Sequence, residues 1–506
     1  MLLNASLRLV ISISLSLLGT LFLHSNALAQ EAKEPSTPTQ VPETVTVRGT
    51  RIISEDMFVQ QTSSAGNKDD KALKDTPQSV SVISQGQVKD QGAKSIQEAT
   101  RYTAGVQAEP FATDIRGNYV FIRGSEAGQF RDGMQTIFSA NTTQTRFPVF
   151  GAEKIEVLRG PSSMLYGQSS VGGIVNVITK IPRPEEKGEA RVEFGSFNRH
   201  QSSIDLMGAV TEDKTWSYRL VSEVRDSDAY VKHTRDDSVY LAPSLRWQPD
   251  RDTSITLLLN YQKDDGVPTA QFARVDNVIR DGGLGKIRRE TYLGEPGFDE
   301  QITEQRSISL LYDQAFNEIW SYHQNIRYSD SKTSYQQVYP NFFSTVDPVT
   351  GTVGRSAYAY KSDLHSFKID GHVRAVLPVT VLPTTLMFGV DYQNGKIEAE
   401  SGFLAQSDIN VYHPVYGNYA NPVMADAPDY KQSQVGVYAQ ADVSVTETTS
   451  IILGVRQDKA KTEGASFDKV DDSATTSGIC IGSGSLAGVV DTGSSSSSSD
   501  DPGEAG

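Results

Sequence analysis

Cys480 is the single cysteine in a chain of 506 residues, which leaves no intrachain disulfide and no thiolate cluster for structural zinc. The seven histidines are scattered, with no pair at the i, i+4 spacing that would set two imidazoles on one helical face. No constellation joins a nucleophile to a base, so neither catalysis nor a resident cofactor or metal is expected. Arg123 and Arg159 carry guanidinium groups suited to anionic oxygens, and they could contact a ligand or pair with structural carboxylates. Glu43, Thr44, Val45, Thr46 and Val47 form a short strand-prone stretch in a polar tether. Such a segment can add to the sheet edge of a partner through main-chain hydrogen bonds, or it can be an ordinary N-terminal strand. A net charge of −15 argues against nucleic acid as a partner, since a phosphate backbone is held by clustered Lys and Arg.

These residues must be positioned by several units, because a chain of this length exceeds one ordinary core. The mean hydropathy of −0.37 excludes a multi-helix membrane protein but not a barrel, in which polar and apolar residues alternate along each strand. Arg8, the apolar run Leu9 to Leu23 and the small-residue site Ala27-Leu28-Ala29 read as an export signal over residues 1–29, with Gln30 as the mature N-terminus. A membrane anchor fits less well, because the run is short and broken by Ser12, Ser14 and Ser16. Residues 30–49 form the tether, rich in Pro, Thr, Glu and Gln and too polar to pack.

Residues 50–183 read as a small α+β domain. Pro77 to Ser84 alternates at period two, Gln85 to Tyr102 predicts one helix or two, and Ile155 to Leu158 and Ile174 to Ile178 predict glycine-bounded strands. Over residues 184–460 the texture changes to long alternating strands. Ala190, Val192 and Phe194 alternate with Arg191 and Glu193, and Val435, Val437, Ala439 and Ala441 with Gln440 and Asp442. About eleven such strands fit between Gly188 and Lys461, longer than sandwich strands, with Trp216, Trp247, Tyr261 and Tyr328 as an interfacial girdle. The reading is a transmembrane β-barrel with an N-terminal plug. Beyond Lys461 the alternation fades into a Ser, Gly and Asp rich tail, residues 461–506, in which no strand is expected.

The motifs sharpen this reading. Asp75 to Ile83, then Ile122-Arg123-Gly124 with Arg131-Asp132-Gly133, then Glu153 to Pro161, Leu165-Tyr166-Gly167 and Gly172 to Asn176 together resemble the TonB-dependent ferric siderophore receptors of the ferrichrome and pyoverdine type. Arg131 stands where that family more often has an apolar residue, and Val171 replaces a common proline. The resemblance covers residues 43–460 and implies a plug inside a 22-stranded barrel embedded in outer-membrane lipid. It further implies Glu43 to Val47 as the segment bound by the TonB C-terminal domain. By the same resemblance Arg123 and Arg159 latch the plug to glutamates of the barrel wall, with Glu156 in their network. Arg116, Gly128, Gln129 and Phe138 fall near positions that touch the siderophore, and Tyr335 and Tyr339, in a loop after a barrel strand, are further candidates. Arginine and glutamine donate hydrogen bonds to iron-coordinating oxygens, and aromatics cover apolar parts.

A haem or cobalamin receptor of the same fold is the alternative, although haem would favour paired apical histidines and only isolated ones such as His413 occur. A passive porin or adhesin is disfavoured by the plug motifs, and a periplasmic binding protein would need the plug to fold unassisted. Residues 30–70 are too few for an added signalling domain. Half a barrel would leave two open edges in lipid, at several kcal/mol for each unsatisfied backbone group. That exceeds the roughly 5–15 kcal/mol stability of a domain, so the chain is expected to be a non-functional fragment with a tail read out of frame.

Overall fold

The computed structural model describes residues 60–464, apart from 77, 112–113, 137–144, 273–283, 342–343, 378–381 and 447–448, together with the backbone of Asp472–Ser483 and Leu486–Asp491. The export signal, the tether with Glu43 to Val47, and Phe138 lie outside the described residues.

The first domain contains ten short strands. In chain order they are β1 (Thr62–Ser63), β2 (Lys71–Ala72), β3 (Ser79–Ser84), β4 (Val106–Ala108) and β5 (Val120–Ile122), then β6 (Ser125–Glu126), β7 (Gly128–Arg131), β8 (Met134–Gln135), β9 (Ala152–Arg159) and β10 (Gly173–Thr179). Its centre is a five-stranded sheet in the order β3-β9-β10-β7-β8, with β10 antiparallel to β9 and parallel to β7. The sequence explains where β3 stops. Ser84 caps the helix Gln85–Gln91: its side chain accepts from the backbone N of Gln87, while the Gln87 side chain accepts from the backbone N of Ser84. Gly92, at φ 62°, ends that helix, and a second helix follows at Ile96–Ala99. Ile83, Val88, Ile96, Ile122, Ile155, Val157, Val175 and Val177 close the core.

The second domain is one antiparallel sheet of thirteen strands, each paired to the next in sequence. They are β11 (Lys187–Gly195), β12 (Arg199–Ala209), β13 (Trp216–Asp226), β14 (Asp236–Trp247), β15 (Thr253–Gly266), β16 (Glu300–Ala315) and β17 (Trp320–Pro340). After them come β18 (Thr352–Leu377), β19 (Thr384–Asn410), β20 (Ala425–Ser444), β21 (Ser450–Glu463), β22 (Asp472–Ser483) and β23 (Leu486–Asp491). Among the described strands, β11 and β23 are not neighbours. The eleven strands from β11 to β21 match the expected number. The tail departs from expectation, because β22 pairs with β21 from Thr462↔Asp472 to Ile451↔Ser483. The free edge of β21 offers a row of backbone donors and acceptors, and ladder pairing needs no side-chain alternation to fill it.

Burial along these strands is inverted relative to a soluble sheet. Phe194, Leu206, Tyr218, Val239, Ile308, Phe388, Val437 and Leu453 are exposed, whereas Ser203, Arg219, Gln262, Arg327, Lys368, Gln434 and Arg456 are buried. The apolar face is outward and the polar face covers the first domain, as a barrel in lipid requires. One end has short turns, such as residues 248–252, 316–319 and 445–449; the other has long loops, residues 267–299, 341–351 and 411–424. Trp216, Trp247 and Trp320 all lie where a strand meets a short turn, with Trp216 against Trp247 at 6.1 Å. Tyr328, expected near a strand end, instead lies well inside the 21-residue β17, exposed on the outward face.

Candidate functional site

At the long-loop end a recess is assembled from both domains. Asp114 grips Arg116 in a fork: Nη2 donates to Oδ2 at 2.7 Å, and Nε and the backbone N each reach Oδ1 at 3.0 Å. Burial works against the Arg116 charge, but the hydrogen bond and charge of Asp114 outweigh it and hold the guanidinium above its usual range. The guanidinium carbon sits 5.1 Å from the centre of the Phe272 ring and 6.0 Å from that of Tyr119. Phe272 meets Tyr339 at 5.5 Å, Tyr335 meets Tyr358 at 6.1 Å, and Tyr358 stacks on Tyr360 at 6.1 Å. Phe111, half exposed, packs edge-on against Tyr119 at 5.2 Å and Phe121 at 5.9 Å. The Tyr119 hydroxyl is buried with no hydrogen-bond partner among the described residues, and burial raises its pKa. The arrangement can cover apolar surface with rings while offering an oriented guanidinium and a waiting hydroxyl.

Three of the expected ligand residues, Arg116, Tyr335 and Tyr339, converge here. The two tyrosines lie within β17 rather than in a loop after it, because the ladder with β18 continues to Pro340↔Arg355. Gly128 and Gln129 do not converge. Gly128 pairs with Ile174 inside the plug sheet, where an added Cβ would come within 2.8 Å of Ser169 Oγ. Gln129 donates to the Asn118 carbonyl at 2.6 Å and lines an internal cavity. Phe111, Tyr119, Phe272 and Tyr358 were not anticipated, although the aromatic spacing at 111, 119 and 121 was a usable signal. Among the described residues, no group of three His, Cys, Asp or Glu side chains could hold a metal.

Below the recess, every strand from β12 to β21 contacts the plug. Lys180 Nζ lies 3.0 Å from Asp205, Arg146 2.7 Å from Asp236 and 3.1 Å from Asp264, and Arg327 Nη2 2.6 Å from Asp132. Arg219 donates to the Ile181 carbonyl at 3.1 Å, Arg131 to Ser307 at 3.1 Å, Gln168 N to Gln434 at 3.2 Å and Arg456 to the Leu165 carbonyl at 3.4 Å. The segment entering the plug is also fastened: Lys68 pairs with Asp370, Asp69 with His372 at 3.3 Å, Asp70 with Lys154 at 2.9 Å and Lys71 with Asp442.

The arginines expected to latch the plug are not among these described wall contacts. Arg159 bonds Ser79 at 3.2 Å and Ser81 at 2.8 Å, inside the plug, and Arg123 is exposed close to Gly160. Both extend from the plug's own strand ends, and neither meets a barrel partner among the described residues. Glu156 is fully buried and accepts from Ser64 N and Oγ at 3.0 Å and from Asn176 at 3.1 Å, with Lys154 3.0 Å away. It holds the entering segment to the plug sheet, apart from both arginines.

Comparison with known families resolves the architecture. Residues 72–174 match the TonB-dependent receptor plug domain, and residues 243–487 match the TonB-dependent receptor-like β-barrel. The chain belongs to the TonB-dependent receptors. Within that family it is 30% identical over 454 residues to the ferrioxamine receptor of Yersinia enterocolitica, covering 86% of this chain and 62% of that protein. It is 26% identical over 451 residues to the ferrichrome outer membrane transporter/phage receptor of Escherichia coli K12, covering 82% and 60%. The chain thus spans about three fifths of the length of these relatives. The solved ferric preacinetobactin receptor of Acinetobacter baumannii shares the fold, with a TM-score of 0.73 at 19% identity over 83% of this chain and 64% of that one. A pyoverdine-bound ferripyoverdine receptor of Pseudomonas aeruginosa gives a TM-score of 0.73 at 18% identity over 85% and 58%. In this TonB-dependent receptor the first domain is the plug and the inverted sheet is barrel wall.

Proposed function

We propose that this chain is the plug and part of the barrel of a receptor that binds a ferric siderophore at its long-loop end and serves active transport of that complex across the outer membrane, the truncated chain by itself being no working transporter. The observation that carries the reading is the recess in which Arg116, fixed by Asp114, lies over Phe272 beside Tyr339. Relatives named as receptors for ferrioxamine and ferrichrome support the ligand class. The ferric siderophore is cargo, so the reading asks for no resident cofactor and no catalytic step. Outer-membrane lipid covers the apolar outward face, and the TonB C-terminal domain takes up Glu43 to Val47 by strand addition and pulls. Phe138 remains a candidate for ligand contact, alongside Phe111 and Tyr119.

The test is titration of the folded protein with an iron(III) trihydroxamate, followed by quenching of intrinsic fluorescence. Arg116→Ala is expected to weaken binding about tenfold or more, the value of a charge-assisted hydrogen bond of roughly 1.5–3 kcal/mol. Saturable binding of haem in place of any ferric siderophore would overturn the reading in favour of a haem receptor of the same fold.

A further inference from the structure

A cavity of about 70 Å³ lies between plug and wall, away from the recess, bounded by β7 and β10 on one side and β16, β17 and β18 on the other. Among the described residues its lining includes Arg131, Arg146, Arg327 and Lys368 and not one carboxylate. The acids stand behind the cations. Asp132 takes Arg327 Nη2 at 2.6 Å and also binds the Thr179 N and Oγ1, while Asp236 and Asp264 take Arg146. Asp236 is shared further with Arg225 at 3.0 Å. Arg131 is left short. Its Nη2 donates to Ser307, its guanidinium lies 4.9 Å from the centre of the Phe147 ring, and Asp132 is 3.8 Å from Nε, beyond hydrogen-bond reach. Nε is buried with no hydrogen-bond partner among the described residues. A buried guanidinium nitrogen without an acceptor costs more than a neutral one, because the charge is desolvated as well.

We propose that this cavity binds a small oxyanion of the phosphate or sulfate type, held by Arg131 and Arg327 with Lys368 across from them. The volume admits about five waters at roughly 10–15 Å³ each, and so one tetrahedral oxyanion of similar heavy-atom count. Ser307 lines the same space, and its hydroxyl, which accepts from Arg131, keeps its own proton to donate. An anion there supplies the acceptor that Arg131 Nε lacks and spans plug strand β7 and wall strands β17 and β18, so its binding seats the plug. The recess residues Arg116, Tyr119, Phe272 and Tyr339 are not among its lining.

The experiment is equilibrium dialysis of the folded full chain against labelled inorganic phosphate, with chloride at matched ionic strength. Saturable uptake near one phosphate per chain is expected, displaced by sulfate but not by chloride, with slowed amide exchange across Gly128–Arg131. Arg131→Leu should weaken uptake at least tenfold, whereas Arg235→Leu, beside Asp265 and outside the cavity lining, leaves it unchanged. Should Arg131→Leu not fold, Lys368→Met is the second variant, with the same tenfold loss expected. Absence of saturable uptake by the folded wild-type chain overturns the proposal, as does uptake that persists unchanged in a folded cavity variant.

Discussion

Removing the Asp205 carboxylate tests whether the plug is held by desolvated charge. Asp205 is fully buried on β12 and accepts Arg219 Nε at 2.8 Å and Nη2 at 2.7 Å, with Lys180 Nζ of the plug at 3.0 Å. Lys180 also lies 4.1 Å from the centre of the Phe150 ring. One anion therefore serves two cations that water does not reach. Asp205→Ala removes the carboxylate that both share, at a cost of about 3–5 kcal/mol for breaking a buried pair from one side. Converted at roughly 1.4 kcal/mol per tenfold, local opening of the plug should rise by about two to four orders of magnitude. Amide exchange of Ala152–Arg159 and Gly173–Thr179 in the folded chain reads that opening. Replacing all three residues by Leu or Met should restore most of the protection, since a well-packed apolar trio avoids the desolvation cost. A change below tenfold for Asp205→Ala would mean that water reaches the cluster, and the reasoning would fail. A triple variant as labile as the single one would show that the ions are net stabilising, contrary to the argument.

Two further outcomes follow from local geometry. Asp299, in the long loop before β16, accepts the Tyr292 hydroxyl at 2.5 Å and the Val338 N at 2.7 Å, and burial pushes its carboxyl up to about 7. The folded loop then keeps a proton that the unfolded chain releases near the usual carboxylate value. Its stability should fall as pH rises from about 4 to about 7 and stay flat above, by up to roughly 4 kcal/mol in order of magnitude. Limited proteolysis of this loop at pH 5 and pH 8 measures the change, and Asp299→Asn should abolish it; equal rates in the wild type would refute the assignment. Gly173 begins β10 at φ 135°, and a Cβ there would come within 2.0 Å of the Leu158 carbonyl oxygen. Gly173→Ala should cost about 3 kcal/mol or more from backbone strain and overpacking and lower the melting temperature by several degrees. Gly188→Ala, whose nearest neighbour is 3.7 Å away, is the comparison, and equal melting temperatures for the two variants would contradict the steric account.

What could be read from sequence was whatever depends on neighbours in the chain. The alternation of Val192 and Phe194 with Arg191 and Glu193 is a property of a few consecutive residues, and the face assignments it implies hold along β11, β12 and β21, while in β18 Lys368, Ile369 and Asp370 are buried in succession. The Ser84 and Gln87 capping box lies within four residues, and the expected helix follows directly. The recess was less legible because Arg116, Phe272 and Tyr339 come from three elements separated by long stretches of chain, and each residue alone is unremarkable. The ends of β17 were misjudged for a related reason: Tyr335 and Tyr339 are held by the ladder to β18, which local propensity does not see.

The charged run Lys68-Asp69-Asp70-Lys71 shows the limit most clearly. Read locally, four consecutive charges of both signs are a solvated surface, and nothing in the run marks it as fastened. In the fold each charge meets a counter-charge: Lys68 at Asp370, Asp69 at His372, Asp70 at Lys154 and Lys71 at Asp442. Three of these partners are on β18 and β20, so the pairing exists only once the wall has wrapped the plug. Arg123 and Arg159, whose motif positions suggested wall contacts, make none among the described residues, where Lys68, Lys71, Lys180 and Asp132 meet the wall. Charge matching across an interface is set by which faces meet, and a single chain read in order carries the charges without carrying that geometry. A latch inferred from residue type alone is therefore weaker than one inferred from burial, because only burial shows which ions have given up water and depend on a partner.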